Sequence, residues 1–446
     1  MRGVDAVKRR ILPLVVLLTA LLFAGCAPLT VAEMYALPKR SEEYAHLQSA
    51  IDMAMAGLSY SAPVSGENQQ TVQSADLDGD GVEEYLVFAK GNTEKPMQIL
   101  IFSQIEDGMC QIMTVIECNG SAFERVEYVE IDHNPGCEIV VGRQVNDQLV
   151  GSVSVYTFKN GSAKQLMTSG YTRFLTCDID GDDKGELMLV QRGESEYDGA
   201  VATLYNFRGG SMERSVEVPL SRRAQDIRRI RFGQLEGGQP AVYVTSAIDE
   251  STLITDVLCM RRGMFTNLSM TSDIGTRVQA LRNYNVYPED VDRDGVVELP
   301  ALIPMRPVSL DYNIERQYVI QWYSVEASGK PLEKYYTFHN YAGRWFVQLD
   351  SETAHRMTVD QIGNTYIFYI WDEEFTMVTP VYTVYVMTGS DRETQATEDN
   401  RFPLLKTDEV VYAARLEPAA SVHGITKEKL IDSFRPIHQE WRTGET

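Results

Sequence analysis

Five short apolar runs recur along the middle of the chain, and each follows a polar turn rich in aspartate or glycine. The runs cover residues 85–88, 139–141, 187–190, 242–244 and 299–302. The turns begin at Asp76, Glu130, Asp178, Gly233 and Asp290, so they repeat at intervals of 48 to 57 residues. Short apolar runs bounded by turn residues are typical of buried strands. The pattern therefore predicts a repeated β unit.

Further strand-like stretches complete each unit. Residues 153–160, 202–208 and 254–262 each end at a glycine turn, and residues 123–129 and 226–232 lead into the next polar turn. Four strands in a repeat of roughly 54 residues are typical of propeller blades. We therefore expect a mainly β, propeller-like repeat domain of four-stranded blades over residues 63–310.

The two ends of the chain differ from this repeat. Leu47, Ile51 and Met55 recur at helical spacing and predict a helix over residues 41–58. After residue 310 the acidic turn stops recurring, but aromatic, strand-like stretches continue. Apolar residues over 425–441 predict a last helix that is kinked or broken before Pro436. We expect residues 311–446 to form a smaller α+β domain, with further degenerate blades as the alternative. Residues 390–401 are expected to be an exposed loop.

The first 26 residues have the layout of a secretory signal. Four basic residues precede an uncharged run over residues 11–23, which is shorter than the 20 or so residues that a spanning helix needs. The run ends in Phe23-Ala24-Gly25-Cys26, which resembles a lipobox, the site where a diacylated cysteine begins a mature lipoprotein. We expect a signal peptide over 1–25, a tether and helix over 26–62, and lipid on Cys26. A plain signal peptide is the alternative.

Charge limits the choice of partners. Without residues 1–25 the chain holds 37 basic and 62 acidic residues, a formal net charge of −25. This balance argues against binding nucleic acid or anionic lipid by charge, so membrane contact is expected only through the lipid. The five cysteines after Cys26 include no CxxC motif and fit small core residues. A bridge between Cys110 and Cys118 across a hairpin is left open.

The polar turns carry the candidate chemistry. Three of them place carboxylates at positions 1, 3, 5 and 9, and the twelve residues are Asp76, Asp78, Asp80, Glu84, Asp178, Asp180, Asp182, Glu186, Asp290, Asp292, Asp294 and Glu298. Alternating carboxylates in a tight turn can converge on calcium, which takes six to eight oxygen ligands. We therefore expect three calcium sites with a structural role. The alternative is a set of acidic solvent turns, because aspartate and glycine are favoured in turns.

The two remaining turns depart from this pattern. The second keeps oxygen ligands at Glu130, Asp132, Asn134 and Glu138, but it has Pro135 at position 6, where the chain must turn. We treat it as a weaker metal site and leave its binding open. In the fourth turn Gly233, Leu235, Gly237 and Ala241 occupy the ligand positions, so no side-chain site is expected there.

The spacing resembles the calcium loops of FG-GAP and VCBS-type propeller repeats, the family that includes the integrin α-subunit propeller. An EF-hand would need a glutamate at position 12, where this chain has Val87, Leu189 or Ala301 inside apolar runs. The resemblance covers about residues 70–310 and implies a calcium-loaded β-propeller. The sequence signature that gives the FG-GAP family its name is not evident.

No catalytic motif stands out in the sequence. We therefore expect a non-enzymatic, extracytoplasmic lipoprotein of a bacterial cell membrane that binds a glycan, peptide or protein partner. The alternative is an extracellular hydrolase with its site in the C-terminal domain, around Asp372, Glu373 and Glu374. Tryptophans and tyrosines over residues 322–371 are expected to pack in a β core, with a carbohydrate platform as the less favoured alternative.

Overall fold

A computed structural model describes residues 42–105, 109–145, 150–195, 198–250, 252–270, 286–308 and 317–437. The predicted signal, Cys26 and the tether lie outside these ranges. The chain divides into a unit of Met1–Ala56 with Phe102–Ile112 and a unit of Gly57–Ile101 with Met113–Thr446. Helix α1 (Glu42–Ala54) belongs to the first. Within the described ranges, no helix is both long and apolar enough to cross a membrane.

The fold is mainly β and propeller-like, as predicted, and is built from antiparallel sheets that follow one another along the chain. The first sheet has the order β1-β3-β4-β5, with β2 paired to β3 beside β1. Its strands are β1 (Ser59–Tyr60), β2 (Val72–Ala75), β3 (Glu84–Lys90), β4 (Met97–Gln104) and β5 (Cys110–Cys118).

The next three sheets each have four strands that pair in chain order. The second consists of β6 (Ala122–Val129), β7 (Glu138–Gln144), β8 (Gly151–Lys159) and β9 (Ser162–Tyr171). The third consists of β10 (Arg173–Cys177), β11 (Glu186–Gln191), β12 (Val201–Arg208) and β13 (Ser211–Pro219). The fourth consists of β14 (Ile227–Gln234), β15 (Pro240–Ala247), β16 (Leu253–Arg261) and β17 (Met264–Asn267).

Two five-stranded sheets follow. The fifth pairs β18 (Leu299–Pro304), β19 (Tyr318–Val325), β20 (Pro331–Asn340), β21 (Trp345–Leu349) and the late strand β27 (Phe434–Pro436). The sixth contains β22 (Met357–Ile362), β23 (Thr365–Trp371), β24 (Val378–Met387), β25 (Phe402–Lys406) and β26 (Val411–Leu416), in the order β22-β23-β24-β26-β25. Helix α2 (Arg392–Gln395) precedes β25, and α3 (Lys427–Ser433) precedes β27.

Apolar cores lie between consecutive sheets. Phe88 of the first sheet packs edge-on against Phe123 of the second, with ring centroids 5.2 Å apart. Between the fifth and sixth sheets, Trp345 is fully buried and stacks on Phe434 at 5.1 Å. Trp322 is also buried, and its indole donates to Thr337 at 2.7 Å. These aromatic side chains are therefore core residues, as the sequence favoured, rather than a carbohydrate platform.

The structure corrects several predicted element boundaries. Strand β18 pairs with β19 across the expected domain boundary at residue 310, so that boundary falls inside a sheet. The following sheets agree with the alternative of further blades, although the domain boundaries themselves stay predictions. Helix α1 ends at Ala54, before the positive-φ Gly57, and not at residue 58. The expected loop over 390–401 contains the short helix α2.

The last helix predicted over 425–441 is shorter than expected, and its predicted break before Pro436 is confirmed. Helix α3 ends at Ser433, and Phe434 begins β27, which pairs with β21. The physical reason is that Pro436 has no backbone N–H for a continuing helix, whereas an edge strand tolerates it. The residues from 438 onward lie outside the described ranges.

The cysteine bridge left open by the sequence does not form. No disulfide joins any two of the described cysteines, which are Cys110, Cys118, Cys137, Cys177 and Cys259. Cys110 and Cys118 are the two ends of the nine-residue strand β5, not partners across a hairpin. At about 3.3 Å per residue, such a strand holds its ends far beyond disulfide reach.

Candidate metal centres

Each polar turn leads directly into a strand of one of the first five sheets. We name them loop 1 (residues 76–84), loop 2 (130–138), loop 3 (178–186), loop 4 (233–241) and loop 5 (290–298). Loops 1 to 3 connect β2 to β3, β6 to β7 and β10 to β11. Loop 5 leads into β18, and a single bridge between Glu289 and Glu298 takes the place of a first strand.

The backbone of each acidic loop is wrapped around the carboxylate at position 1. In loop 1, Asp76 accepts hydrogen bonds from the N–H groups of Gly79 and Gly81, at 2.7 and 3.0 Å. Asp178 and Asp290 accept the matching position-6 N–H groups at 2.9 and 3.1 Å. Closing such a ring requires positive φ at position 6, where Gly81 and Gly295 have +86° and +89° and Asp183 has +65°.

The carboxylate at position 9 has a backbone role that the sequence did not reveal. Glu84, Glu138, Glu186 and Glu298 are all buried, and each accepts the N–H of the apolar residue at position 2, at 2.8 to 3.1 Å. The bond occurs in loop 2 as well, so it does not depend on the aspartate pattern. Glutamate at position 9 therefore closes the turn, whether or not it also binds a cation.

Three groups of carboxylates come close enough to hold one metal ion. Each group has ligand oxygens within 4.8 Å of one another, and the groups are Asp76 with Asp78 and Glu84, Asp178 with Asp180 and Glu186, and Asp290 with Asp292 and Asp294. Nine of the twelve predicted ligands are thus brought together. Asp80, Asp182 and Glu298 lie outside these groups.

Burial, together with neighbouring carboxylates, raises the pKa of several of these carboxyl groups. Burial, reinforced by neighbouring aspartates, raises the pKa of Glu186 to about 7. Burial and the aspartates of loop 5 likewise raise the pKa of Glu298 to about 7. The pKa values of Asp180 and Asp292 are also raised, by burial and then by their acidic neighbours. The loops therefore favour a bound proton or a bound cation, because either relieves the repulsion between carboxylates.

The loops differ in how many of their carboxylates pair with a lysine. In loop 2, the Lys159 ammonium lies 2.7 Å from Asp132 and the Lys184 ammonium lies 2.6 Å from Glu130. Burial acts to raise the pKa of Asp132, but hydrogen bonds from Lys159 and Asn134 hold it below its ordinary value. Loop 2 thus carries its own cations, a feature that no sequence pattern indicated because Lys159 lies outside the loop.

Loop 5 has one weaker lysine contact, and the aspartates of loops 1 and 3 have none. Lys334 lies 3.5 Å from Asp294 and 3.0 Å from Glu236 of loop 4. No lysine or arginine of the described chain pairs with the loop 1 or loop 3 aspartates at positions 1, 3 and 5. These two loops therefore present the least compensated carboxylate groups.

Loop 4 differs from the sequence alignment by one residue. Leu235 is fully buried, as Leu77 is in loop 1, so Leu235 corresponds to position 2 and not to position 3. Its N–H donates to the Gln239 carbonyl at 2.7 Å, where loop 1 uses a glutamate carboxylate. Glu236 then falls at position 3. The apolar side chain sets the register because it must fill the core between two sheets.

The acidic residues proposed for a hydrolase do not form a site. Asp372 accepts hydrogen bonds from the N–H and hydroxyl of Thr376, at 2.7 and 2.6 Å. Those bonds hold the pKa of Asp372 below its ordinary value. Glu373 and Glu374 are exposed. The three residues belong to a surface turn after β23.

Comparison with known proteins gives likeness of fold only. No family model matches the chain, and no curated protein matches it. A protein from Lactobacillus plantarum is 11% identical, covering 72% of this chain and 85% of its own, with a TM-score of 0.29. The rhamnogalacturonan lyase YesW is 11% identical over 72% of this chain and 68% of its own, at 0.31. The exotype lyase YesX is 12% identical over 80% and 72%, at 0.28.

These neighbours correct the expectation of a non-enzymatic binding or adhesion module. Two of the three similar structures are lyases, so proteins similar to this chain include enzymes. The expectation rested on the lack of a catalytic motif, and such a lack does not separate a binding protein from an enzyme in a β fold of this kind. TM-scores near 0.3 transfer neither activity nor substrate to this chain. The expected glycan, peptide or protein partner stays a prediction.

We expect the free energy of unfolding of the metal-free protein to fall as the pH rises from about 4.5 to 7. The unfolded chain releases the protons of Glu186 and Glu298 near their ordinary pKa of 4.5, whereas the folded chain keeps them to about 7. Each proton held only by the folded state costs about 1.4 kcal/mol of unfolding free energy per pH unit of increase. Thermal melts with chelator at pH 5, 6, 7 and 8 measure the effect.

The matched variant Glu186→Gln isolates this contribution, because glutamine cannot ionise. Its melting temperature should depend less steeply on pH than that of the wild type. Calcium should also reduce the slope, since a bound cation favours the ionised carboxylate. Equal slopes in wild type and variant would contradict the assignment.

Proposed function

We propose that the chain is a calcium-stabilised, propeller-like protein held by lipid on Cys26 at the extracytoplasmic face of a bacterial membrane. Loops 1, 3 and 5 are its calcium sites. The observation that carries the proposal is the convergence of three carboxylates within 4.8 Å in each of these loops. Carboxylates this close repel one another strongly, so a divalent cation adds folding free energy at each loop.

The donor chemistry favours calcium over other metals. The three groups contain only carboxylate oxygens, with no histidine or cysteine among them. Zinc and the later transition metals prefer nitrogen or sulfur donors, whereas calcium accepts flexible arrangements of many oxygens. Magnesium retains several waters and requires near-octahedral geometry, which suits a loop of crowded carboxylates less well.

Loop 2 is excluded from the proposed sites by its lysines. A calcium ion at Asp132 would have to displace the Lys159 ammonium from a largely buried carboxylate. Loop 4 is excluded because Glu236 is its one carboxylate and already pairs with Lys334. The proposed stoichiometry is therefore three calcium ions, with loop 5 weaker than loops 1 and 3 because of Lys334.

Substitution of Asp180 by alanine should remove one calcium ion from the stoichiometry and lower the melting temperature in calcium. The reason is the loss of one of the three converging carboxylates of loop 3. A site filled at one hundred times its Kd contributes about 2.7 kcal/mol, which sets the scale of the loss. Calorimetric titration of metal-free wild type and variant, beside melts with and without chelator, measures both effects.

Two controls separate ligand loss from charge loss. Asp183→Gly removes a carboxylate of the same loop outside the converging group and relieves a positive φ of 65°, so calcium affinity should persist. Gln234→Ala in loop 4 alters an exposed side chain outside the three groups and should leave stoichiometry and stability unchanged. Absence of calcium binding at millimolar concentration, with unchanged melts, would refute the proposal.

The lipid anchor has an independent test. Cys26→Ser removes the thiol that would carry the lipid, so the variant should appear unprocessed or in the soluble fraction. Cell fractionation and mass spectrometry of the mature N-terminus measure the outcome. Membrane retention of the variant, with no lipid on the mature wild-type N-terminus, would refute the anchor while leaving the calcium proposal intact.

An extracellular hydrolase is the second candidate function, and one cleft favours it. The cleft has a volume of about 340 Å³ near α3 and is lined by Asp350, His423 and Asp432, among others. Carboxylates and a histidine in one cleft are the side chains that general acid–base catalysis uses.

If this cleft is catalytic, Asp432→Asn should lower turnover by about 10²-fold or more. The assay is a panel of chromogenic glycosides, esters and peptides, with purified wild type in calcium. Asp408→Asn, an exposed carboxylate outside the cleft, is the matched control. No turnover by the wild type across the panel, or equal turnover by both variants, would count against this candidate.

A further inference from the structure

A polar cleft in the part of the chain that forms the first two sheets is separate from the acidic loops. Its volume is about 510 Å³, and Arg143 lines it together with Lys95, Glu117, Asn119, Ser152, Gln165 and Thr168. Arg143 is near the end of β7 and faces Ser152 of β8 in the strand register. On β9, Gly170 stands opposite Ser152, so no side chain from that position fills the cleft.

Arg143 carries a buried positive charge. The residue is 5% exposed, yet it forms no ion pair with any described carboxylate. Its guanidinium donates to the Asn119 carbonyl at 2.7 Å and to the hydroxyls of Ser152 and Ser154 at 3.2 and 2.7 Å. Its Nε is buried and has no hydrogen-bond partner. Every acceptor around the guanidinium is therefore neutral.

Another buried arginine shows how this chain ordinarily treats such a charge. Arg229 is 6% exposed, and its guanidinium pairs with the buried Glu289 at 3.1 Å. An ionised group taken out of water is strongly disfavoured unless an opposite charge compensates it. Among the described residues no carboxylate supplies that compensation to Arg143, and the side chain borders an open cleft. The missing charge can therefore come from a ligand.

The hydroxyl groups around Arg143 are oriented as donors. Arginine has no acceptor, so Ser152 and Ser154 must accept from it and keep their own protons for other partners. Ser154 donates to Thr168 at 3.0 Å, and Thr168 contacts the Val153 carbonyl at 3.3 Å. The Ser152 hydroxyl, which lines the cleft, has only a long contact of 3.4 Å to Thr168. It is therefore placed to donate to a negatively charged oxygen.

We propose that this cleft binds a small, hydroxylated carboxylate, with the carboxylate facing Arg143 and Ser152. Lys95 and Glu117 are exposed residues of opposite charge in the lining, so one positive charge remains to be compensated. One carboxylate supplies the single negative charge that compensates it, whereas phosphate brings more negative charge than the cleft can neutralise. Asn119, Gln165 and Thr168 provide neutral donors and acceptors that suit ligand hydroxyls.

Sodium gluconate is a suitable probe, and sorbitol is its uncharged counterpart. Titration calorimetry of the mature chain in a low-chloride buffer, at constant excess calcium, should show gluconate binding and no sorbitol binding. Arg143→Gln should weaken gluconate binding at least tenfold, because charge-assisted hydrogen bonds are lost. Ser152→Ala should weaken it by a smaller factor. Because gluconate complexes calcium weakly, the heat of its titration into the calcium buffer alone is subtracted, and the excess calcium keeps the result independent of the calcium proposal.

Arg125→Gln is the matched control, because Arg125 lies on the neighbouring strand β6 and pairs with Glu127 at 2.5 Å. This variant should bind gluconate like the wild type. The melting temperature and calcium titration of Arg143→Gln verify that it folds. Three outcomes would overturn the proposal: no gluconate binding by the wild type, equal binding by Arg143→Gln, or binding of inorganic phosphate in preference to gluconate.

Discussion

A buried glutamate carboxylate closes each acidic loop, and its place determines where the other charges of the loop can lie. Glu84, Glu138, Glu186 and Glu298 each reach back to the backbone N–H of position 2, which also anchors an apolar side chain. Without this bond the position-2 N–H would be buried with no hydrogen-bond partner, which costs about 1 to 3 kcal/mol. In loops 1 and 3 the bond also brings the glutamate oxygen within 4.8 Å of the aspartate oxygens at positions 1 and 3. The mutual repulsion of the loop carboxylates is thus a consequence of how the turn is closed.

The structure shows one answer to this repulsion in loop 2, and the proposed calcium sites are a second. Loop 2 uses two lysine ammonium groups, of which Lys184 belongs to loop 3 and reaches across to Glu130. Within the described residues, no such lysine pairs with the aspartates of loops 1 and 3, and in loop 3 the pKa of Glu186 rises to about 7. A fixed ammonium and an exchangeable divalent cation are alternative partners for the same kind of carboxylate group. Only the divalent cation makes the stability of the fold depend on the calcium concentration outside the protein. If calcium binds as proposed, that concentration affects loops 1 and 3 but not loop 2.

Local features of this structure could be predicted from sequence, and features that depend on distant residues could not. Carboxylates alternate within nine residues of one loop, so their convergence follows from local geometry. The strands of the repeat could be placed because apolar runs and glycine turns are also local signals. By contrast, Lys159 reaches Asp132 across a sheet, and Leu235 shifts loop 4 by one residue because of a core contact. Likewise, the pairing of β27 with β21 joins two segments that lie far apart in the sequence.

Because distant residues come together only in the folded chain, short sequence motifs say little about the activity of this protein. A constellation such as Asp350, His423 and Asp432 is assembled from separate segments, so no spacing in the sequence reports it. Arg143 is a second example. In the sequence it is one arginine at the end of an apolar strand, and its burial without a carboxylate appears only when β7, β8 and β9 are paired. For a β fold of consecutive sheets, the residues that matter chemically are those whose charge or hydrogen bonding the folded chain leaves incomplete. The loop carboxylates can be found from their spacing in the sequence, whereas a residue such as Arg143 can be found only after its neighbouring strands have been placed.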